Sequence, residues 1–477
     1  MYDCIIIGSG ISGATIAREL SKFNLKTIIL EKEFDVATEA TMANSAIVHS
    51  GHDPLPGSLK AKYNILGNRM YRQMSKELDI PLLECGGIVA AVDEEQMETI
   101  KMLYLRALEN GLTVDEVSLL NKNDALKIEP GLSNSIMGVL HLPTTAVTFP
   151  WEGAIANIEN AMDNGVELSL ETEVIAISKD KTFTVETNKG TFEARVVINA
   201  SGIHAENIAK MLYKPDFSIR SRRGEYIVLD SDVNLVNGVI YPTPTDKGKG
   251  VLLTPQTHGE TLVGPTSEFV DIKDAMKTTL AGIKYVKEHA KLIVKDIPYS
   301  KMIRAFAGSR PSGSTGDFIL GESKVSGFIN VAGIESPGLT AAPAIAIDIA
   351  LIVKCILKPT KNENFNPIRR KVIRVKELSI SNRSELVKRN KQYANIICRC
   401  ENITEGEIVD SIHRNCGSKS VVGVKARVRP GAGRCQGGFC QPEVISILAR
   451  ELKIDPMDVM YKGNGSNILI GTTKDVK

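Results

Sequence analysis

One stretch near the start constrains the fold more than any other. Residues 2–33 read YDCIIIGSGISGATIARELSKFNLKTIILEKE. A buried strand over Cys4–Ile7 runs into Gly8-Ser9-Gly10-Ile11-Ser12-Gly13. A helical stretch over Ala14–Ser21 follows, then a second buried strand, Lys26–Leu30, ending at Glu31. Gly8 permits a tight turn, Gly10 lets the backbone approach a pyrophosphate, and Gly13 lets the helix pack on the strand. The helix N-terminus presents amide groups to an anion. Glu31 stands where a carboxylate accepts from ribose hydroxyls. A lone glycine triplet says little. Strand, glycines, helix, strand and terminal acid in this order predict a dinucleotide-binding βαβ unit.

The chain is long for one compact domain, 477 residues, which predicts two or three. A net charge of +2 gives no global field for nucleic acid or acidic lipid. The longest apolar run, AAPAIAIDIALIVKCIL, contains Asp348 and Lys354 and reads as a buried helix rather than a membrane span. The first strand begins almost at Met1, with no basic region before an apolar stretch, so no signal peptide is expected. Eight cysteines without such a signal point to a reducing compartment, the cytoplasm, and to metal or redox chemistry rather than disulfides.

Two later stretches favour FAD over NAD. Residues 194–202, ARVVINASG, form a buried strand ending in small residues, with Ala200 and Gly202 at its end. Gly327 to Pro343 give another strand, a glycine-rich turn and a helix start; Gly333, Ser336, Gly338, Leu339 and Thr340 lie there. That helix aims its positive end at whatever occupies the turn, which suits a reduced flavin. With this spacing, residues 1–358 resemble the D-amino-acid-oxidase-like flavoproteins. The resemblance implies an α/β (α+β) chain. Its glutathione-reductase-type FAD domain is built from discontinuous pieces. A mixed-sheet substrate domain is expected at about 80–150 and 205–310. It also implies that ETEV (171–174), ending at Val174, lies beside the adenine.

The block ATMANSAIVHSGHDPLPGSLKAKYNILGNRMY (40–71) bears on the substrate. In the resembling flavoproteins this segment passes along the pyrophosphate and under the isoalloxazine. Asn44 and Ser45 then fall at that pass and His49 falls close to the flavin. A histidine there can take a hydroxyl proton while the carbon's hydride goes to flavin N5; the alternative is that it only holds the flavin. His52 reads as structural. The block resembles both bacterial glycerol-3-phosphate oxidases/dehydrogenases and L-2-hydroxyglutarate oxidases. It departs from membrane-associated glycerol-3-phosphate dehydrogenases, which place an Arg-Tyr pair where this chain has Asp53-Pro54. In FAGSRPSGSTGDFILGES (306–323), Arg310 resembles the family's anion-holding arginine, and a guanidinium offers bidentate donors to phosphate or carboxylate. YPTPTDKGKGVLLTPQTHGETLVGPT (241–266) reads as a hairpin or meander, in which Lys249 or Lys247 supplies a second cation or is a solvated turn lysine. The substrate expected is a small anionic alcohol. Glycerol 3-phosphate is the first reading, a 2-hydroxy acid the second, and an amino acid the third. A redox sensor and an electron-relay subunit are the rivals without substrate chemistry.

Residues 359–394 are polar and basic, and read as a linker that wraps or tethers, its charges a solvated surface. Beyond it, CRCENITEG and GRCQGGFC bring four of the eight cysteines into two tight pairs, Cys398/Cys400 and Cys435/Cys440. Thr404 with Glu407 predicts a capping box, and Gln441-Pro442 a helix start. Four thiolates suit zinc or an iron–sulfur cluster; glycines near the sulfurs favour the cluster. Residues 395–455 resemble the bacterioferritin-associated-ferredoxin-like [2Fe–2S] domain. That resemblance implies an electron exit to a protein acceptor, with a second flavoprotein subunit and a small partner. Cys4, Cys85, Cys355 and Cys416 read as ordinary thiols, and the tail over 456–477 as a possible packing strand.

Overall fold

The computed structural model describes residues 1–244 and 250–471. Two large sheets dominate it. The first is built around the strand Tyr2–Ile7, paired in parallel with Thr27–Leu30 on one side and Gly190–Asn199 on the other. Phe328–Ala332 extends the parallel set beyond Gly190–Asn199, and Glu167–Ser169 extends it beyond Thr27–Leu30. A hairpin, Val174–Lys179 and Phe183–Thr187, pairs antiparallel with Gly190–Asn199 on the other side. Side chains alternate across a strand, so Cys4 and Ile6 enter one core while Ile5 and Ile7 enter another. Both faces are therefore buried, and the strand reads as an unbroken apolar run.

The core around Cys4 and Ile6 is closed by the helices Ile11–Leu20, Pro150–Asp163 and Gly338–Leu357. Gly338–Leu357 is long and apolar enough to cross a membrane by length and composition alone, but it packs in this core. Pro343 lies inside it and has no amide to give Leu339. The Tyr71 hydroxyl donates to the freed Leu339 carbonyl at 2.7 Å.

The second sheet has nine strands and is mostly antiparallel. Its longest pair, Ile219–Leu229 against Met302–Gly313, runs in register from Ile219↔Gly313 to Leu229↔Met302 with one shift near the end. Val239–Pro242, Leu252–Pro255 and Thr261–Gly264 form the predicted meander, and Val239–Pro242 pairs in parallel with Gly87–Ala91.

Residues 359–394 are tied to the preceding part of the chain by ion pairs. Arg369 is buried on Glu159 at 2.8 Å, and Arg374 pairs with Asp79 and Glu152. The expected solvated surface holds for the helix Ile380–Arg389, which buries nothing, and fails for these two arginines because buried carboxylates await them. The helices Glu405–His413, Val421–Val428 and Gln441–Leu452 then enclose a small separate core. Thr404 and Glu407 form the expected capping box. The described part of the tail is a turn at Pro456–Asp458 and a single bridge, Met460↔Asn467, not a strand. Ser466 Oγ accepts from the Lys462 and Gly463 amides and closes that segment into a tight loop.

Candidate active site and cysteine centre

A cavity of about 880 Å³ runs between the two sheets. The glycine turn forms one end of it. Gly8 adopts φ +102°, and a Cβ there would meet the Ala200 carbonyl at 2.6 Å. A Cβ on Gly13 would strike the Gly8 carbonyl at 2.1 Å, so helix and turn meet with no room for a side chain. Gly10, Ile11 and Ser12 line the cavity at the N-terminus of the helix Ile11–Leu20. No side chain of the cap residue closes that terminus; Thr41 Oγ1 instead accepts from the Ile11 amide at 2.9 Å. Glu31 is buried at the next strand's end. Its carboxylate accepts from the Ser9 amide and hydroxyl at 2.8 and 2.6 Å, and burial raises its pKa.

The loop over 35–46 forms the next wall. Ala37 and Ala46 there hold positive φ, 60° and 64°, a strain non-glycine residues carry mostly at constrained sites. Asn44 fixes the bend by donating to the Ala40 and Thr41 carbonyls and accepting from the Ala46 amide. Ser45 Oγ lies 3.2 Å from the Tyr226 hydroxyl. Val174, Ala200 and Gly202 line the dinucleotide end, and Ser336, Gly338 and Leu339 line the other. Gly333 and Thr340 stand behind the wall. Gly333 makes the turn with φ +65°, and Thr340 Oγ1 accepts from the His49 amide at 2.9 Å.

His49 is buried in this cavity wall, with its carbonyl held by the Asn64 and Asn68 side chains. Its Nδ1 lies 3.2 Å from the Tyr241 hydroxyl and its Nε2 lies 3.4 Å from Ser336 Oγ. Burial holds the Tyr241 pKa well above the usual value, so the phenol stays neutral beside the imidazole. His52 does not line the cavity; it meets Ser50 Oγ at 3.1 Å and the edge of Tyr241. Arg310 lines the cavity, and its Nη2 donates to the Thr266 carbonyl at 2.6 Å. Burial, with the Arg222 charge, leaves its pKa lower than usual, against the opposing pull of Tyr226 and Glu335. Lys247 and Lys249 lie outside the described residues. Sequence reasoning passed over Tyr241, Tyr226 and Arg222. Tyr241 reaches His49 from 192 positions away, through the parallel pairing of Val239–Pro242 with Gly87–Ala91, and no local pattern announces that.

The residues at the glycine turn suit an FAD. Two glycines sit where any side chain collides, a helix N-terminus opens on the cavity, and a buried acid closes the second strand. The four cysteines suit a two-iron cluster. Among the described residues no set of three or more His, Cys, Asp or Glu side chains is gathered tightly enough for one ion. The thiols approach as two pairs instead. Cys400 and Cys435 lie 3.6 Å apart, and Cys398 is in hydrogen-bond contact with Cys440. Zinc asks for four thiolates around one centre, whereas a [2Fe–2S] cluster takes four shared between two irons. The Cys440 hydrogen bond, opposed by burial, pulls the Cys398 thiol down to about 6. Cys398 and Cys440 face the small core, while Cys400 is exposed and Phe439 beside Cys440 is 87% exposed.

Arg429 joins the two sites. It pairs with Glu401, next to Cys400, at 2.9 Å, and with Glu260 on the turn between Leu252–Pro255 and Thr261–Gly264. Its guanidinium also lies 5.2 Å from the Phe149 ring, which packs against Trp151 and His258.

Residues 3–351 match the family described as FAD dependent oxidoreductase, and residues 396–450 match the BFD-like [2Fe–2S] binding domain. The chain is 46% identical to the glycerol 3-phosphate dehydrogenase of Caloramator mitchellensis, over 99% of both. It is similar to the structure of dithionite-reduced L-α-glycerophosphate oxidase from Mycoplasma pneumoniae with FAD bound. There the TM-score is 0.74 and the identity 32%, over 77% of this chain and 98% of that one. The glycerol-3-phosphate dehydrogenase structure from Bacillus halodurans shares the fold over 95% of this chain and 91% of that one, at a TM-score of 0.66 and 15% identity. The chain thus belongs to the FAD dependent oxidoreductase family and carries a C-terminal BFD-like [2Fe–2S] binding domain.

Proposed function

We propose that this chain oxidises sn-glycerol 3-phosphate to dihydroxyacetone phosphate and passes the electrons through its [2Fe–2S] centre to a protein acceptor. The observation that carries the reading is the full-length similarity to the C. mitchellensis enzyme, which extends through the cysteine domain. The cavity supplies the chemistry. FAD held at this cavity would supply the hydride acceptor. His49 Nε2, beside Ser336 at the cavity wall, takes the hydroxyl proton of the substrate. Tyr241 on Nδ1 fixes the ring's orientation. The Arg310 guanidinium, held against the sheet by Thr266, binds the anionic end. Asn64, Asn68 and Thr340 lock the His49 backbone, so the base does not swing away from the reacting carbon.

An oxidase that hands its electrons to oxygen has no use for a four-thiol cluster site; a dehydrogenase with a protein acceptor does. The exposed edge at Cys400 and Phe439 is where electrons leave, toward a second flavoprotein subunit and a small acceptor. The test is anaerobic flavin bleaching of FAD- and cluster-loaded protein, with sn-glycerol 3-phosphate, L-2-hydroxyglutarate, lactate and proline added separately. Rapid bleaching by sn-glycerol 3-phosphate alone is expected. Bleaching by a 2-hydroxy acid or proline in its place overturns the substrate assignment.

A further inference from the structure

The surface that leads to the cysteines carries positive charge the chain leaves largely unmatched. Residues 380–399 hold five arginines and lysines and one glutamate, a net +4. The whole chain is only +2, so the rest of it is net negative. Arg389 meets Glu385 at 3.9 Å with both side chains exposed, a pair worth little. Arg383 donates to the Lys376 and Leu378 carbonyls. Lys388, Lys391 and Arg399 are exposed and enter no ion pair among the described residues. Two carboxylates beside the cysteines are already matched, Glu401 by Arg429 and Glu405 by Arg450. Glu443, three residues after Cys440, stays exposed.

Most of this charge sits on the helix Ile380–Arg389, which buries no side chain. A helix that short draws its stability from packing more than from propensity, and here the chain offers it no surface to pack on. Its C-terminal end is nevertheless fixed beside the cysteines. The turn Lys391–Ala394 follows, with Tyr393 buried over Gly406, where a Cβ would meet the ring at 2.7 Å. The Glu405 amide then donates to the Asn395 carbonyl at 2.8 Å, and the strand Ile396–Cys398 begins. Lys391 is seven residues from Cys398, which an extended chain spans in at most about 25 Å. A typical protein partner covers about 800 Å², a patch about 30 Å across, so one docked protein reaches both. Arg399 stands exposed between Cys398 and Cys400. Ile396 and Phe439, 54% and 87% exposed, supply apolar contact on the same domain. A helix lying in lipid needs a broad apolar face. This one has only Ile380, Leu386 and Val387, the last two already half-buried, which favours a protein over a membrane.

We propose that the helix Ile380–Arg389, with Lys391 and Arg399, is the docking surface for an acidic protein that takes electrons from the cysteine centre. The proposal rests on the reading of that centre as the electron exit and adds the charge of the partner. The helix steers the acceptor into place by complementary charge, so its effect falls on the rate of encounter and fades with salt.

The experiment uses the full chain with FAD and cluster. The protein is reduced with stoichiometric dithionite, so the result does not depend on which substrate the flavin accepts. It is then mixed in stopped flow with plastocyanin, an acidic copper protein, or with cytochrome c, a cationic haem protein. One electron passes from the reduced cluster to Cu(II) or Fe(III), and no proton moves. The helix variant combines Lys388→Glu, Arg389→Glu and Lys391→Glu. The control combines Lys214→Glu, Lys273→Glu and Lys324→Glu, three exposed lysines elsewhere that change the net charge equally. At low salt the helix variant is expected to reduce plastocyanin on the order of 10-fold more slowly than wild type and cytochrome c faster, with both differences gone at about 0.5 M salt. The control stays within about twofold of wild type, and the cluster absorbance of both variants is unchanged. A helix variant within about twofold of wild type toward plastocyanin, or an equal loss in the control, overturns the docking surface. Helix-dependent flotation with phosphatidylserine vesicles, with the plastocyanin rate unmoved, overturns it in favour of lipid. Wild type that reduces plastocyanin no faster than Cys435→Ala overturns the electron exit itself, a result distinct from transfer that ignores the helix.

Discussion

Asp35 and Arg427 tie the cysteine domain to the loop that walls the cavity, and breaking that tie should be felt in both. The pair is bidentate, at 2.9 and 2.8 Å, and its members are 7% and 8% exposed. Arg427 also donates to the Cys416 and Gly423 carbonyls. Asp35 stands four residues after Glu31 and two before Ala37, so it anchors the start of the cavity loop. Removing one partner of a buried pair costs about 3–5 kcal/mol because the other charge stays buried. Asp35→Asn should fall near the lower end, about 3 kcal/mol, since the amide oxygen keeps one bond and Arg427 keeps its two carbonyls. Arg427→Met should cost a similar amount. Replacing both, by Asp35→Leu with Arg427→Met, removes both charges from the interior and should return to within about 2 kcal/mol of wild type. The assay is urea unfolding followed by the fluorescence of Trp151, the chain's single tryptophan, whose neighbour Phe149 lies under Arg429 at the domain contact. Flavin release in the same titration reports the cavity loop. Single variants that each cost less than about 1 kcal/mol, or a double variant that costs their sum, would refute the reasoning.

His49→Gln should slow flavin bleaching by substrate about 10²- to 10⁴-fold while FAD stays bound, checked by anaerobic stopped flow. Tyr241→Phe removes the hydroxyl 3.2 Å from His49 Nδ1, and should lower the limiting bleaching rate about tenfold with little change in KM. Cys435→Ala should abolish the [2Fe–2S] signal in electron paramagnetic resonance and transfer to the acceptor, yet leave bleaching by substrate intact. His258 gives a pH dependence. Burial, reinforced by Arg429, Lys376 and Arg374, pulls its pKa down to about 2 from the ordinary 6.5. A group depressed in the folded state contributes its stability above the unfolded value and loses it as pH falls. Lowering the pH from 7 to 5 should therefore cost about 2 kcal/mol through this one residue, and His258→Phe should flatten that part of the unfolding profile.

The parts of the site differ in how legible they are. The glycine turn and its acid are a local device: strand, turn, helix and strand lie within thirty-two residues, and the turn's own Gly8 carbonyl is what excludes a side chain at Gly13. Sequence reading therefore placed Gly8, Gly13 and Glu31. The capping box at Thr404 and the cysteine pairs are equally local. The segment over 359–394 was harder, because polarity and charge describe Arg369 and Arg374 without telling which buried carboxylates wait for them. A proline inside the helix Gly338–Leu357 looks like an interruption until Tyr71 is seen to take the carbonyl it frees.

The chain's pattern of glycines, apolar periodicity and cysteine spacing determined by itself that there is a dinucleotide unit at one end and a thiolate centre at the other. These are short-range demands, written where they act. Only the tertiary structure decided that Tyr241 meets His49, that Arg222 stands opposite Arg310, and that Arg429 and Arg427 bind the two ends into one body. Those contacts depend on strand order and register between segments far apart in the chain. A shift of one residue in the pairing of Ile219–Leu229 with Met302–Gly313 would turn Arg222 and Arg310 to opposite faces of the sheet.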